Sequence, residues 1–183
     1  MPHQLTTSHL EDSLALFRTY KKLAEDAIKQ VTDEKLCTVL DPEMNSIAVT
    51  VKHMAGNMRS RWMNLLTTDG EKPDRHRDSE FEAPPPTRED LLKLWEEGWN
   101  CVFAALEPLT DDDLSRTVYI RGQAHSVTQA INRQIAHYAY HCGQIVMLAK
   151  HFRSAEWKSL SIPRGKSEEV NRRMAAGETR RPN

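Results

Sequence analysis

Residues 131–150 read INRQIAHYAYHCGQIVMLAK, an apolar helix-forming stretch that places His137 and His141 four residues apart. At about 100° per residue, Val127, Ile131, Ile135, Tyr138, Cys142, Ile145 and Leu148 define one buried sector. His141 falls within that sector near one edge, and His137 lies about 40° further toward the same edge, with Gln134 on the same line. Side chains at i and i+4 stand about 5–6 Å apart at Cβ, so both rings can reach one ion at ~2.0–2.1 Å. The commoner use of a core-edge histidine is a hydrogen bond to a carbonyl, and a pair is only two ligands. A third must come from another helix.

The segment upstream supplies a candidate. A helix expected over about Ser46 to Thr67 carries Ile47, Val51, Met54, Met58 and Leu65 on its apolar arc. His53, Asn57, Ser60 and Asn64 form a polar line along one border of that arc. Such a line beside a histidine pair is how a helical bundle builds an internal metal site. His53, His137 and His141 are therefore the candidate ligands of a centre with an open position.

Two further helices complete the pattern. One runs from about Thr7 to Val31, opened by Ser8 and Glu11 as a capping box, with Leu10, Leu14, Phe17, Leu23 and Ile28 at helical spacing. The other begins at Thr87 and Asp90 and carries Leu91, Leu94, Trp95, Val102 and Leu106. Ser126 and Gln129 cap the last long helix, about Val127 to Phe152. Residues 70–86, GEKPDRHRDSEFEAPPP, are polar and proline-rich, as suits a chain crossing over the bundle. A short extended piece is expected at RTVYI, and a short helix from Ser167. The fold class is all-α, a four-helix bundle in one domain over 1–174, with 175–183 expected as a disordered tail.

Composition narrows the function. The 183 residues hold 25 basic against 26 acidic side chains, which argues against an electrostatic nucleic-acid binder. No apolar run approaches the roughly 20 residues that span a bilayer. MPHQLTTSHLEDS lacks a basic segment followed by an apolar one, so no secretory leader is expected and a cytoplasmic location is. Cys37, Cys101 and Cys142 are scattered and odd in number, as suits reduced thiols.

One early histidine and a His-x-x-x-His late in a four-helix pattern resemble the DinB/YfiT-like superfamily of bacterial helical proteins. The C-terminal EWKSLSIPRGKSEEVNRRM resembles a subfamily of that group with no assigned function. The resemblance implies an up-down-down-up bundle, often a homodimer, and a divalent ion, Zn or Ni, on His53, His137 and His141. It also implies small-molecule chemistry: some relatives join a low-molecular-weight thiol such as bacillithiol to electrophiles, and one type is a mycothiol-dependent isomerase. Detoxification or stress chemistry with a thiol cosubstrate is then expected. A non-enzymatic metal-stabilised dimer or small-ligand binder, and a metal-dependent hydrolase, are the alternatives.

Three neutral nitrogens leave an ion its full charge, enough to acidify a bound water toward pH ~7 or deprotonate a bound thiol. A hydrolase commonly adds a carboxylate base, as in HExxH sites. No Asp or Glu occurs between Val127 and Phe152 or near His53 in its helix, which favours the thiol reading unless an acid from a loop reaches in. Asn57, Gln134 and Gln144 flank the ligands as candidates for supporting bonds, against the plainer reading of polar residues at a bundle edge. Arg61 is a candidate partner for an anionic cosubstrate, whereas Arg59 reads as solvated surface. The segment SLSIPRGKS lacks a phosphate-loop pattern and reads as a strap packing Trp157 and Ile162 onto the bundle.

Overall fold

The computed structural model describes residues 5–178. Each long helix starts where its cap residue stands. Ser8, Ser46, Thr87 and Ser126 accept bonds from the backbone N–H of Glu11, Val49, Asp90 and Gln129, satisfying donors that a helix start otherwise leaves free. The helices are α1 (His9–Ile28), α2 (Asp33–Cys37), α3 (Ile47–Trp62), α4 (Arg88–Leu106), α5 (Val127–Arg153) and α6 (Ser167–Ala175). At Ser126 the box is reciprocal, since Gln129 Oε1 accepts from Ser126 N at 2.9 Å. At α1 the Glu11 carboxylate instead accepts from Thr6 Oγ1, so only half of the expected box forms.

The four long helices make the bundle, and side-chain pairs give its direction. Residues 17 and 20 of α1 meet 138 and 142 of α5, through a Phe17–Tyr138 ring contact at 5.7 Å and a Cys142 Sγ–Tyr20 O bond at 3.5 Å. These two helices run parallel. Residues 18, 21 and 28 meet 107, 96 and 88 of α4, so α1 and α4 run antiparallel. Residues 53 and 62 of α3 meet 141 and 138 of α5, so α3 runs antiparallel to α5 and parallel to α4. The order is up-down-down-up, and the long connection 63–87 is the return this requires. Gly98 lets those two helices approach: a Cβ there would stand 2.9 Å from Ala55 Cα and 3.1 Å from Met58 Sδ.

Phe17, Trp62, Trp99 and Tyr138 fill the centre in tilted and edge-to-face pairs 5.6–6.2 Å apart. Trp95 is also inside, so Trp62, Trp95 and Trp99 all fill the bundle. Trp62 Nε1 donates to Tyr138 Oη at 2.9 Å, and that hydroxyl donates to Asn57 Oδ1 at 3.2 Å. This chain of hydrogen bonds runs from the core to the edge where the site lies.

Several connections differ from the periodicity-based expectation. Helix α3 ends at Trp62 and not near Thr67: Met63 turns extended at ψ 124° and Asn64 follows with a left-handed φ of 53°. The extended piece at RTVYI is half of a hairpin, β1 (Thr117–Ile120) paired antiparallel with β2 (Gln123–Ser126), Val118 opposite His125. Arg121 and Gly122 both have positive φ, as a two-residue hairpin turn demands. The crossover contains a 3-10 turn at Arg77–Phe81. Trp157 packs on the core together with Leu160, while Ile162 is half-buried outside that cluster. Cys142 is fully buried, and all three cysteines are free. The tail expected over 175–183 is described only to residue 178, and 179–183 lie outside the described residues. No helix among the described residues is long and apolar enough to cross a membrane.

Candidate metal centre

The bundle brings His53 of α3 to His137 and His141 of α5. Ring centroids lie 5.4 Å (His53–His137), 5.0 Å (His53–His141) and 4.7 Å (His137–His141) apart. One ring nitrogen from each residue lies within 4.8 Å of the other two. A tetrahedral zinc site spaces its nitrogens at about 3.4 Å, so small ring movements close the difference.

Hydrogen bonding frees the lone pairs that an ion needs. His53 Nδ1 meets Glu80 Oε2 at 2.8 Å, so Nε2 is the ring nitrogen left to face an ion. His141 Nδ1 meets Gln144 Oε1 at 2.8 Å, and its Nε2 is buried without a partner. His137 Nδ1 is likewise buried without a partner. An orphaned buried polar atom costs about 1–3 kcal/mol, and two beside one another are what a ligand set looks like without its ion. Burial pushes His137 down to about 3, helped by the neighbouring His141 and His53, and pushes His141 down to about 4. Both rings are neutral at neutral pH, the form that binds metal. The donor set fits a divalent transition-metal ion.

Glu80 is the residue that sequence reading missed. It rises from the crossover, is buried, and accepts from Arg75 Nε at 2.8 Å and Nη2 at 2.9 Å as well as from His53. Burial raises the Glu80 pKa, but His53 and Arg75 outweigh it, and the carboxyl is held below its ordinary range. Room for it comes from Gly56, where a Cβ would stand 2.3 Å from Glu80 Oε1. A glycine inside a helix costs roughly 0.5–1 kcal/mol, so Gly56, three residues after His53, was the signal available in the sequence.

The other candidates divide. Gln144 orients His141, and Asn57 closes the hydroxyl chain from the core. Gln134 is buried beside the centre with Oε1 unpartnered. Arg61 is buried at the site, whereas Arg59 turns outward to Asp74 at 2.9 Å. Tyr138 is core, and burial pushes its hydroxyl well above the ordinary phenol range. Tyr140 is half-exposed with its ring 5.3 Å from His137. A cleft of about 390 Å³ opens beside His53 and His137, a size that suits a small molecule.

The family model described as "Protein of unknown function (DUF1572)" matches residues 4–166. The chain belongs to this family. No curated protein matches the DUF1572 chain. Among solved structures, it is similar to YfiT from Bacillus subtilis, described as "a probable metal-dependent hydrolase with an unusual four-helix bundle topology". That likeness has a TM-score of 0.63 at 18% identity and covers 86% of the DUF1572 chain and 94% of YfiT. A DinB-like protein from Bacillus cereus ATCC 10987 matches with a TM-score of 0.55 at 16% identity, over 77% and 91%. Both likenesses establish a DinB/YfiT-like fold for the DUF1572 chain.

Proposed function

We propose that this protein is a divalent-metal-dependent enzyme that holds its ion on His53, His137 and His141 and handles a small thiol at the open side. The observation that carries the reading is the convergence of three imidazoles in which two buried nitrogens have no partner. When bound, such an ion supplies positive charge that favours the anionic form of a thiol or water. The protein's own part is positional. Glu80 and Gln144 orient two of the rings, Arg75 holds Glu80, and the cleft admits a small molecule.

Transferase chemistry on a thiol is favoured over hydrolysis because the cleft lining contains no carboxylate to serve as a base. Glu80, the acid that does reach in, is occupied by His53 and Arg75. Hydrolysis is the second reading, supported by the description of YfiT as a probable metal-dependent hydrolase. The resemblance to this superfamily also supports a homodimer.

Elemental analysis of protein purified without a nickel column tests the foundation. A stoichiometric divalent ion is expected, and protein that takes up neither Zn nor Ni ends the proposal. A screen of thiols against electrophiles, run beside ester and amide substrates, separates the two chemistries. A His141→Ala variant that loses thermal stability, with no turnover in either screen for the parent, would leave a metal-stabilised binding protein.

A further inference from the structure

The cleft beside the three histidines is lined by five guanidinium groups, those of Arg61, Arg75, Arg77, Arg121 and Arg133, and by no carboxylate. They arrive from separate places: the end of α3, the crossover, the hairpin turn and α5. Such convergence of like charge is costly unless an anion offsets it.

The acids nearby do not suffice. Glu80 is committed to Arg75 and His53. A single carboxylate, Glu71, serves three arginines: Arg61 and Arg121 at 3.0 Å and Arg75 at 3.5 Å. Arg77 lies over the Phe81 ring at 4.9 Å and has only the fully exposed Asp78 at 3.8 Å. Arg133 has no hydrogen bond or ion pair among the described residues. Arg61, 6% exposed, also keeps its Nε buried with no partner, and Gln134, 2% exposed, lines the same cleft with its amide oxygen unpartnered. Two buried polar side chains with unused capacity, under an excess of guanidinium charge, are features of a built site.

We propose that this cleft is an anion subsite, which binds the carboxylate or phosphate group of a small acidic substrate through Arg61, Arg121 and Arg133. Arg75 and Arg77 add charge to the field without leaving their own partners, and Gln134 contributes a neutral hydrogen bond. Guanidinium forks match planar carboxylate and tetrahedral phosphate oxygens alike, so the shared chemistry is the oxyanion. The opposite end of the substrate then reaches the imidazoles, and only that part rests on the metal reading; the grip on the anion needs no ion.

Full-length protein is titrated calorimetrically with malonate and with inorganic phosphate at low ionic strength, once chelator-treated and once zinc-loaded. Saturable 1:1 binding of at least one anion is expected in the chelator-treated form, and Arg133→Ala and Arg121→Gln each weaken it about tenfold. Arg59→Ala, outside the cleft, leaves it unchanged, and Arg133→Lys recovers part of the loss. Preference for malonate points to a carboxylate-bearing substrate and preference for phosphate to a phosphorylated one. No saturable binding, binding indifferent to Arg121 and Arg133, or binding that needs zinc and ignores the arginines overturns the subsite. Metal content measured on the same samples keeps the two readings apart: anion binding without zinc uptake sinks the metal centre and upholds this one, and zinc uptake without anion binding does the reverse.

Discussion

His53 and Glu80 are 27 positions apart in the chain and meet through a single 2.8 Å hydrogen bond. A carboxylate behind a ligating imidazole raises its basicity and holds its ring in place. Replacing Glu80 by Gln keeps an acceptor but removes the charge, while leaving Arg75 a neutral partner. Zinc affinity, measured by competition with a chromogenic chelator, is expected to fall about 10–100-fold with helicity preserved. Unchanged affinity would reduce Glu80 to a structural partner of Arg75.

Gly56→Ala places a methyl where the Glu80 carboxylate lies, without touching any ligand. The carboxylate must shift off His53, so zinc affinity drops in the same direction as in Glu80→Gln. The double variant should be little worse than either alone, since both remove one interaction. Additive losses in the same competition assay would contradict a shared cause.

Removing metal should lower the melting temperature. An ion at about 100 times its dissociation constant adds about 2.7 kcal/mol, or about 5–10 °C for a chain of this size. Differential scanning calorimetry with chelator, then with zinc restored, reads this directly. His141→Ala should abolish the zinc-dependent part of the shift.

Tyr138→Phe removes the hydroxyl that accepts from Trp62 and donates to Asn57. Two buried polar groups lose their partner, and a loss of about 1–3 kcal/mol in urea denaturation is expected. A loss well below that range would mean that Trp62 and Asn57 find other partners.

Asp69 ties the hairpin turn to the start of the long connection, accepting from the backbone N–H of Glu71 at 2.7 Å, Arg121 at 2.8 Å and Gly122 at 2.7 Å. The bond from Glu71, and after it those from Gly122 and Arg121, hold its carboxyl below the ordinary value of 3.8. A lowered folded-state value means that this stabilisation is complete above about pH 4 and is lost as pH falls through the folded value. Asp69→Asn should therefore be less stable than the parent at pH 7 by about 1 kcal/mol, with the gap narrowing below pH 4. A gap independent of pH would show that charge is not what Asp69 contributes.

Helix starts and the facing of the candidate histidines could be read along the chain because each depends on near neighbours. A cap needs one oxygen and the N–H three residues on, and an i, i+4 pair needs only the helix itself. Ser8, Ser46, Thr87 and Ser126, and the facing of His137 and His141, all follow from such local rules. The Asp33–Cys37 helix and the early stop of α3 escaped because one short turn and one left-handed residue leave little periodic trace.

Local spacing was enough to establish four amphipathic helices, and it made His53 a partner for the later pair. The path of residues 63–87 depended on the assembled bundle, since a polar, proline-rich segment carries no repeating pattern that assigns its side chains to a face. Glu80 reaches His53 because Gly56 leaves a gap and Arg75 neutralises the charge, three residues whose meaning appears only together. The arginines of the cleft come from separate elements, and their shared electrostatic field exists only where folding has brought them within reach of one anion.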